Sequence, residues 1–226
     1  MHWQETEEIA PFKVPDDVVD LVFALDGGRI PVDHAQSLAQ AVCAVLPERI
    51  HATIGIHPVR VAESGNGWER PREPDALLDL SRRTKLVVRT RQQDIDAVAR
   101  LSGSVLSLDG GELKVGRHKP RKLSSLGTLF SHAVRCEEDA GEPEFLKAVS
   151  RELGKMGVVA RKLLCGTSQR FDVDGERWLT RSLMVADLPP EESVRLQQHG
   201  LGDGRLLGCG LFIPHKGIDP VHSPES

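Results

Sequence analysis

A histidine follows an aspartate at the start of a predicted helix, within PVDHAQSLAQAVCAVLPER. Imidazole ionises nearest to neutral pH, so it suits general acid or base catalysis. Asp33 is typical of an N-cap and Gln36 follows three residues later, a capping-box spacing that predicts His34 in the first helical turn. The positive end of a helix disfavours imidazolium and attracts anions, which favours a neutral base beside a phosphate. The structural alternative is a solvent-exposed histidine in a well-capped turn.

A second histidine, His57, ends the alternating stretch IGIHPVR on the side opposite Ile54 and Ile56. Pro58 restricts its backbone, and Arg60 follows nearby. His57 is therefore the rival candidate for the same proton transfer. Its structural alternative is a residue that completes an edge strand.

A glycine-rich segment, GLGDGRLLGCGLF, occupies residues 200–212. Its pattern is Gly200-Leu201-Gly202, five residues, then Gly208-Cys209-Gly210. Glycines permit positive φ and close approach of a ligand, and consecutive N–H groups form anion-binding nests. A dinucleotide fingerprint needs a strand before the glycines and a helix after them, whereas here the predicted helix comes first. We expect no nucleotide cofactor; the structural alternative is a helix cap followed by a thinned strand.

The elements that position these residues form two consecutive units of the same order. Strands are predicted at 18–28, 50–61, 84–91, 104–116, 128–136, 158–173, 177–188 and 205–214. Helices are predicted within 31–49, 92–103, 142–157 and 189–200. Each half is a βαββαβ unit, so the expected fold class is α+β, with two tandem ferredoxin-like, RRM-like domains.

The expected domain boundaries follow from the same pattern. An N-terminal extension covers 1–16, and the first domain covers 17–122, ending in the basic linker GRHKPRK at 116–122. The second domain covers 123–216 and contains the glycine-rich loop, and a loose tail covers 217–226. A further linker-like stretch lies at 62–75.

Composition favours an ordinary globular protein with an uneven charge distribution. Residues 1–30 contain seven acidic and two basic residues, whereas residues 82–122 contain eleven basic and four acidic ones, which allows one basic surface on an acidic protein. The four cysteines lack disulfide or zinc-ligand spacing, so we expect reduced thiols and no metal site. No apolar run is long enough for a membrane span and the N-terminus does not resemble a signal peptide, so a cytoplasmic location is expected.

The glycine segment resembles the C-terminal signature of the RAMP superfamily, the RNA-binding proteins of CRISPR systems that are built from ferredoxin-like domains. The element order, the place of the motif between the last helix and the last strand, and a histidine in the first helix extend the resemblance to the CRISPR repeat endoribonucleases. These enzymes cut precursor CRISPR RNA without a metal or other cofactor. The ribose 2′-hydroxyl attacks the adjacent phosphate, leaving a 2′,3′-cyclic phosphate and a 5′-hydroxyl.

The resemblance implies that His34 is the catalytic base, with His57 as the rival. Some members of the family add a tyrosine or serine, and because this chain has no tyrosine, Ser37 or a lysine would serve as the auxiliary group. Other members lack a working nuclease and only bind RNA.

The expected RNA contacts are backbone-directed, because A-form stems are recognised mainly through shape and phosphates. The candidate residues are Gly200, Gly202, Arg205, Gly208, Gly210, Arg117, Lys119, Arg121, Lys122, Arg161, Lys162 and Arg170. Lys85, Arg89 and Arg91 share one face of a predicted strand. With only 4% aromatic residues, base stacking on a sheet is not the expected main mode.

The leading interpretation is a repeat endoribonuclease that stays bound to its product, with CRISPR repeat RNA and other effector subunits as partners and with no DNA-specific or membrane contact. The alternative is a non-catalytic RAMP-type subunit that binds the guide RNA in an effector complex. A third class is a metabolic or regulatory ferredoxin-like protein that binds a small ligand between its domains.

Overall fold

The first half of the chain forms one antiparallel sheet around a long, alternating strand. The computed structural model describes residues 12–59, 76–138 and 140–215. The strands are β1 (Val18–Pro31), β2 (Gly55–Ile56), β3 (Leu77–Asp79), β4 (Lys85–Arg91), β5 (Val105–Leu108) and β6 (Gly111–Lys122), in the order β2-β4-β1-β6-β5 with β3 paired to the end of β1. Leu21 and Phe23 of β1 are completely buried beneath the helices α1 (Ala35–Val45) and α2 (Ile95–Val98), so the core lies on one face of the sheet.

The second half repeats this arrangement. Its elements are β7 (Leu129–Cys136), α3 (Glu142–Lys155), β8 (Lys162–Val173), β9 (Glu176–Ala186), α4 (Pro190–His199) and β10 (Ile213–Pro214), with the strand order β10-β7-β9-β8. Phe145, Val149 and Leu196 pack the two helices against Leu183 and Val185 of the sheet. The Asp174-Gly175 turn of the β8–β9 hairpin has positive φ at both residues, as its sequence predicts.

Both halves show the ferredoxin-like topology that the sequence predicts. In each half, the fourth strand of the βαββαβ unit lies beside the first, followed by the third and the second. All pairs are antiparallel, and β5 and β3 are additions to the first sheet. The α+β prediction with two such units is confirmed.

Three predicted elements differ from the structure. The strand expected at 205–214 is reduced to Ile213–Pro214, because Gly208 and Gly210 have positive φ and Arg205–Leu207 form a 3-10 turn. Within 50–61, a 3-10 turn at Glu48–Thr53 leaves only Gly55–Ile56 as strand. The basic stretch 116–122 is not a linker, because its residues pair with β1 as the second half of β6. Residues 1–11, 60–75, 139 and 216–226 lie outside the described residues. They include most of the predicted extension, the linker-like stretch at 62–75 and the predicted tail.

The two sheets contact each other through a buried arginine. Arg89 of β4 is 1% exposed and donates through Nη1 to the carbonyl oxygens of Gln197 and Phe212, both at 2.9 Å. Gln197 ends the buried side of α4, and Phe212 precedes β10. One first-domain side chain thus holds two backbone groups of the second domain. None of the helices in the described ranges has the length and hydropathy of a membrane span.

Candidate functional site

His34 lies at the start of α1 with both ring nitrogens bonded to backbone. Nδ1 lies 2.9 Å from the carbonyl oxygen of Pro31, and the N–H of Val59 donates to Nε2 at 3.2 Å. Because Nε2 accepts, the proton of the neutral ring belongs on Nδ1, where it is donated to Pro31. The residue is 5% exposed, so it is not the exposed histidine of the structural alternative. The hydrogen bonds instead determine which tautomer the neutral ring has, with its acceptor nitrogen facing Val59.

The capping box predicted for this helix does not form. α1 begins at Ala35, and His34 itself is the N-cap residue without a side-chain cap bond. Gln36, which the capping box requires at the helix start, donates instead to Asp174 Oδ1 at the tip of the β8–β9 hairpin, at 2.6 Å. The Ser37 hydroxyl donates to the carbonyl oxygen of His34 at 3.4 Å, so its bond stabilises the helical turn and not the imidazole ring.

The segment between His57 and Val59 joins His34 to the glycine-rich loop. Val59 bonds the His34 ring, while Gly208 packs directly on Pro58. A Cβ added to Gly208 would lie 2.6 Å from Cγ of Pro58, so this glycine makes room for the protein's own chain. The fold therefore brings the predicted catalytic histidine and the predicted phosphate-binding loop to the same corner of the molecule.

The loop divides into a packed part and an open tip. Gly200, Gly208 and Gly210 are buried, whereas Gly202 and Asp203 are exposed. Within the described part of the chain, no acceptor takes the backbone N–H groups of 202–204, and both Gly202 and Gly204 have positive φ. Three successive free N–H groups form the kind of nest that binds anions. Gly200 is not part of this group, because its N–H donates to the carbonyl oxygen of Leu196.

Part of the Arg205 guanidinium is already hydrogen-bonded within the protein. Its Nη1 donates to the carbonyl oxygens of Gln198 and His199, the last residues of α4, where a cation is favourable. Burial, together with the neighbouring charges of Arg89 and Arg91, lowers the pKa of Arg205 to about 10. Arg205 therefore holds the loop against the helix as well as lining the space around the loop.

His57 lies in a buried charge cluster. Its Nε2 is 3.6 Å from Asp20 Oδ1, and Asp20 also accepts from Arg89 Nε at 2.8 Å and from Arg121 Nη2 at 3.0 Å. Burial lowers the pKa of His57; the nearby Asp20 carboxylate opposes this shift, and the charges of Arg89 and Arg121 add to it. His57 and Arg89 hold the pKa of the Asp20 carboxyl far below its usual range although burial raises it.

Sequence reasoning missed the roles of Asp20 and Arg89. Asp20 lies directly opposite Arg89 in β4 and Arg121 in β6, so the three side chains share one face. The available signal was one charged residue within each of two predicted strands, Asp20 in 18–28 and Arg89 in 84–91. The burial of Arg89 depends on the second domain, which no local pattern reveals.

The predicted RNA-contacting cations fall into two groups. Several are already ion-paired: Arg161 with Glu192 at 2.8 Å, Lys162 with Asp187 at 2.8 Å, Arg121 with Asp20 at 3.0 Å and Lys122 with Asp16 at 3.8 Å. Arg117, Lys119 and Arg170 are exposed and have no carboxylate partner among the described residues.

Arg117 and Lys119 flank a half-buried apolar strip on the sheet face that the first-domain helices leave uncovered. Val22 of β1 pairs with Val87 of β4 on one side and with Lys119 of β6 on the other. Exposed Lys85 pairs with Ala24 on the same face. We call this surface, defined by Val22, Ala24, Lys85, Val87, Arg117 and Lys119, the basic sheet face. Its exposed cations suit contacts with the phosphates of a polyanion.

A groove of about 520 Å³ lies between α1, the loop and the hairpin tip. The exposed tip of the loop, 202–204, forms one wall, and Gln36 and Gln40 of α1 form another. Asp174 closes one end through its bond to Gln36. The anion nest therefore opens into a groove large enough for a nucleotide.

Comparison with known proteins gives the family of this chain. The family model described as Cas6 Crispr matches residues 19–217. The chain is 31% identical over 198 residues to the CRISPR-associated endonuclease Cas6 of Myxococcus xanthus, covering 87% of this chain and 81% of that protein.

Two solved structures have a similar fold. The structure of a Cas6-related protein from Pyrococcus furiosus has a TM-score of 0.59 at 14% identity, covering 86% of this chain and 97% of that one. The CRISPR endoribonuclease Cse3 bound to a 19-nucleotide RNA has a TM-score of 0.50 at 14% identity, covering 87% and 99%. From the family match along most of its length and its 31% identity to a curated member, the chain belongs to the Cas6 family.

Proposed function

We propose that this protein is a metal-independent endoribonuclease that binds CRISPR repeat RNA and cuts precursor CRISPR RNA by 2′-hydroxyl attack. The family and the endonuclease name of the Myxococcus relative support the reaction class. The observation that carries the proposal is the tautomer of His34: Nδ1–H is anchored on Pro31, and Nε2 is a hydrogen-bond acceptor.

In this mechanism the RNA 2′-hydroxyl replaces the Val59 N–H as the donor to His34 Nε2. The exchange costs one ordinary hydrogen bond, worth about 1 kcal/mol. Nε2 then takes the 2′-proton while the 2′-oxygen forms a bond to phosphorus. The bond from phosphorus to the 5′-oxygen breaks, and that oxygen takes a proton from solvent. The products are a 2′,3′-cyclic phosphate and a 5′-hydroxyl.

The nest at 202–204 supplies the second requirement of the reaction. Negative charge develops on the phosphate oxygens in the transition state, and preorganised N–H donors stabilise that charge. The free backbone N–H groups of 202–204 are donors of this kind. Asp203 lies beside them with an exposed carboxylate that has no ion-pair partner in the described chain.

The basic sheet face and the groove beside the nest extend the binding surface for the RNA. Backbone contacts from Arg117 and Lys119 would contribute affinity without base specificity. We also propose that the cleaved repeat stays bound, because these contacts to the retained strand are unchanged by the cut. A product dissociation slower than the cleavage step would support this.

A non-catalytic RNA-binding subunit is the second candidate. The observation that favours it is the Val59 N–H, which already occupies His34 Nε2. His57 remains the rival base, although its ring lies in the cluster with Asp20 between the domains.

The experiment is cleavage of a radiolabelled repeat RNA with and without excess EDTA, followed by analysis of the upstream product end. Cleavage that persists in EDTA and yields a cyclic phosphate supports the proposal. Tight binding without any cleavage would favour the non-catalytic subunit, and cleavage that requires a divalent metal would overturn the mechanism.

A further inference from the structure

One side chain of the first domain holds both ends of the glycine-rich loop. Arg89 of β4 donates through Nη1 to the carbonyl oxygens of Gln197 and Phe212, at 2.9 Å each. Gln197 precedes the glycines and Phe212 follows them, so the two acceptors bracket residues 198–211. The position of the loop relative to the first domain therefore depends on this buried arginine.

Asp20 of β1 orients the guanidinium of Arg89. Its Oδ1 accepts from Nε at 2.8 Å and its Oδ2 accepts from Nη2 at 3.2 Å, a two-point contact that sets the plane of the guanidinium. Arg89 is 1% exposed and Asp20 is 3% exposed, so solvent does not compete for these bonds. Because the carboxylate binds Nε and Nη2, the remaining nitrogen, Nη1, is directed at the two ends of the loop.

Backbone hydrogen bonds connect the loop ends to the tip of the loop. The N–H of Leu201 donates to the carbonyl oxygen of Gly210, and the N–H of Cys209 donates to the carbonyl oxygen of Gly204, both at 3.0 Å. These bonds join the two sides of the loop between its ends and the nest at 202–204. We therefore expect the nest to follow any displacement of the loop ends.

The same edge of the first sheet leads to His34. Gly55 of β2 pairs with Arg89, and a Cβ added to Gly55 would lie 2.6 Å from Cδ2 of Leu211, so the loop packs directly on this strand. Four residues after Gly55, the N–H of Val59 donates to His34 Nε2. Arg89 thus fixes the loop against the segment that also bonds the predicted catalytic base.

We propose that Arg89, oriented by Asp20, is a positioning residue for RNA cleavage, which sets the distance between the nest at 202–204 and the imidazole of His34. The inference rests on the proposed function, because it assigns a role within that reaction. Its own basis is the bonding of both loop ends by a side chain that is buried away from the RNA. A misplacement of about 1 Å can cost about 100-fold in rate, so a positioning role predicts slower cleavage without weaker binding.

The first test is Arg89→Lys, with Arg195→Lys as the matched control. Lysine keeps the positive charge beside Asp20 but lacks the planar fork that serves a carboxylate and two carbonyl groups together. Arg195 also donates through Nη1 to two carbonyl oxygens, those of Met156 and Gly157, and neither belongs to the loop.

We expect Arg89→Lys to slow single-turnover cleavage of repeat RNA by about 100-fold and to leave the RNA affinity unchanged. Arg195→Lys should match the parent in both measurements. Cleavage by folded Arg89→Lys at the parent rate, or an equal loss of rate in Arg195→Lys, would overturn the inference.

A stereospecific readout distinguishes positioning from a general loss of stability. Repeat RNAs are prepared with a phosphorothioate of either configuration at the cut site, where sulfur replaces one non-bridging oxygen and is a poor acceptor for N–H groups. For the parent we expect one diastereomer to be cut roughly tenfold more slowly than the other, because the nest donates to one of the two oxygens. In Arg89→Lys the ratio of the two rates should approach one. Equal rates in the parent, or the full parent ratio in Arg89→Lys, would contradict the proposal.

Asp20→Asn tests whether the carboxylate acts through Arg89. The amide keeps the size of the side chain but has one acceptor oxygen and no charge. We expect slower cleavage with unchanged RNA affinity, and no further loss when Asp20→Asn is combined with Arg89→Lys, because both changes break the same chain of contacts. Rate losses that multiply in the double variant would show that Asp20 acts independently of Arg89, against the proposal.

Leu106→Ala is the control for stability. Leu106 is 1% exposed and lies in β5, at the edge of the sheet opposite to β2, so its loss destabilises the fold without touching the loop. If folded Leu106→Ala loses as much cleavage rate as Arg89→Lys does, the effect is one of stability and the inference is overturned. Urea unfolding checks each variant, and Asp20→Asn replaces Arg89→Lys in both tests if the latter does not fold.

The outcomes also separate this inference from the proposed function. A parent that cuts repeat RNA, together with Arg89→Lys that cuts it equally fast, overturns the positioning role alone. A parent that binds repeat RNA and does not cut it overturns both.

Discussion

Gly208 and Pro58 are packed so closely that a Cβ on the glycine would lie 2.6 Å from the proline Cγ. Gly202, in the same loop, has a similar positive φ of 70°, but nothing lies within 4 Å of its added Cβ. Substitutions at the two positions therefore distinguish the free-energy cost of backbone strain from that of steric contact.

Gly208→Ala should destabilise the protein more than Gly202→Ala. Both substitutions place a Cβ in the left-handed region at about 1–2 kcal/mol, and Gly208→Ala adds an overpacking cost of about 1–3 kcal/mol. Urea unfolding of both variants measures the difference. Equal losses of stability would mean that the contact with Pro58 does not constrain the loop.

The basic sheet face should contribute to RNA binding more than the ion-paired cations do. We expect the double substitution Arg117→Gln with Lys119→Gln to make the plot of log RNA affinity against log salt concentration less steep. The slope should change by about 0.7–0.9 per lost phosphate contact. The matched control is Arg161→Gln with Lys162→Gln, whose charges are paired with Glu192 and Asp187. If the control pair flattens the salt slope as much, the RNA does not follow this face.

The stability of the fold should depend on the protonation of His57. Burial lowers the pKa of His57, whereas in the unfolded chain the imidazole takes a proton near its ordinary value of 6.5. The unfolded state thus binds more protons as pH falls through that value, and stability falls by up to about 1.4 kcal/mol per pH unit.

His57→Gln should remove this part of the pH dependence. The measurement is the free energy of unfolding of the parent and the variant between about pH 7.5 and pH 5.5. The free energy of unfolding of the parent minus that of the variant should decrease as the pH falls, because only the parent must keep a histidine neutral. A constant difference across the range would contradict the burial of a neutral His57.

The sequence patterns predicted the elements whose cause is local. Alternating Leu21 and Phe23 predict a half-buried strand, and Asp174-Gly175 predicts a hairpin turn, because both signals act over a few residues. The prediction of a strand at 205–214 was wrong. An extended segment was expected there, whereas Gly208 packs on Pro58, a residue that is distant in the sequence.

The site itself was less predictable for the same reason. Proximity of His34 to the loop depends on Val59 and Pro58, which are 25 and 24 residues further along the chain. Asp33 and Gln36 gave a clear local capping signal, but the bond from Gln36 to Asp174 of the second domain replaces that cap. Long-range contacts decided both outcomes.

The central claim is that His34 Nε2 accepts the proton of the attacking 2′-hydroxyl. His34→Ala removes the base but also leaves Pro31 O and the Val59 N–H without their ring partners, at about 1–3 kcal/mol of stability. His34→Gln is the better variant, because an amide oxygen can still accept from Val59 while its basicity is negligible. Urea unfolding checks that each variant is folded under the assay conditions.

The most direct measurement is the single-turnover cleavage rate of repeat RNA by the parent, His34→Gln and His57→Gln, with the RNA affinity of each. We predict that His34→Gln loses about 100- to 10,000-fold in rate and keeps its affinity, while His57→Gln cuts at a rate close to that of the parent. Repeat RNA with a 2′-deoxyribose before the cut should bind the parent and resist cleavage. Cleavage by folded His34→Gln at the parent rate would contradict the assignment of the base to His34.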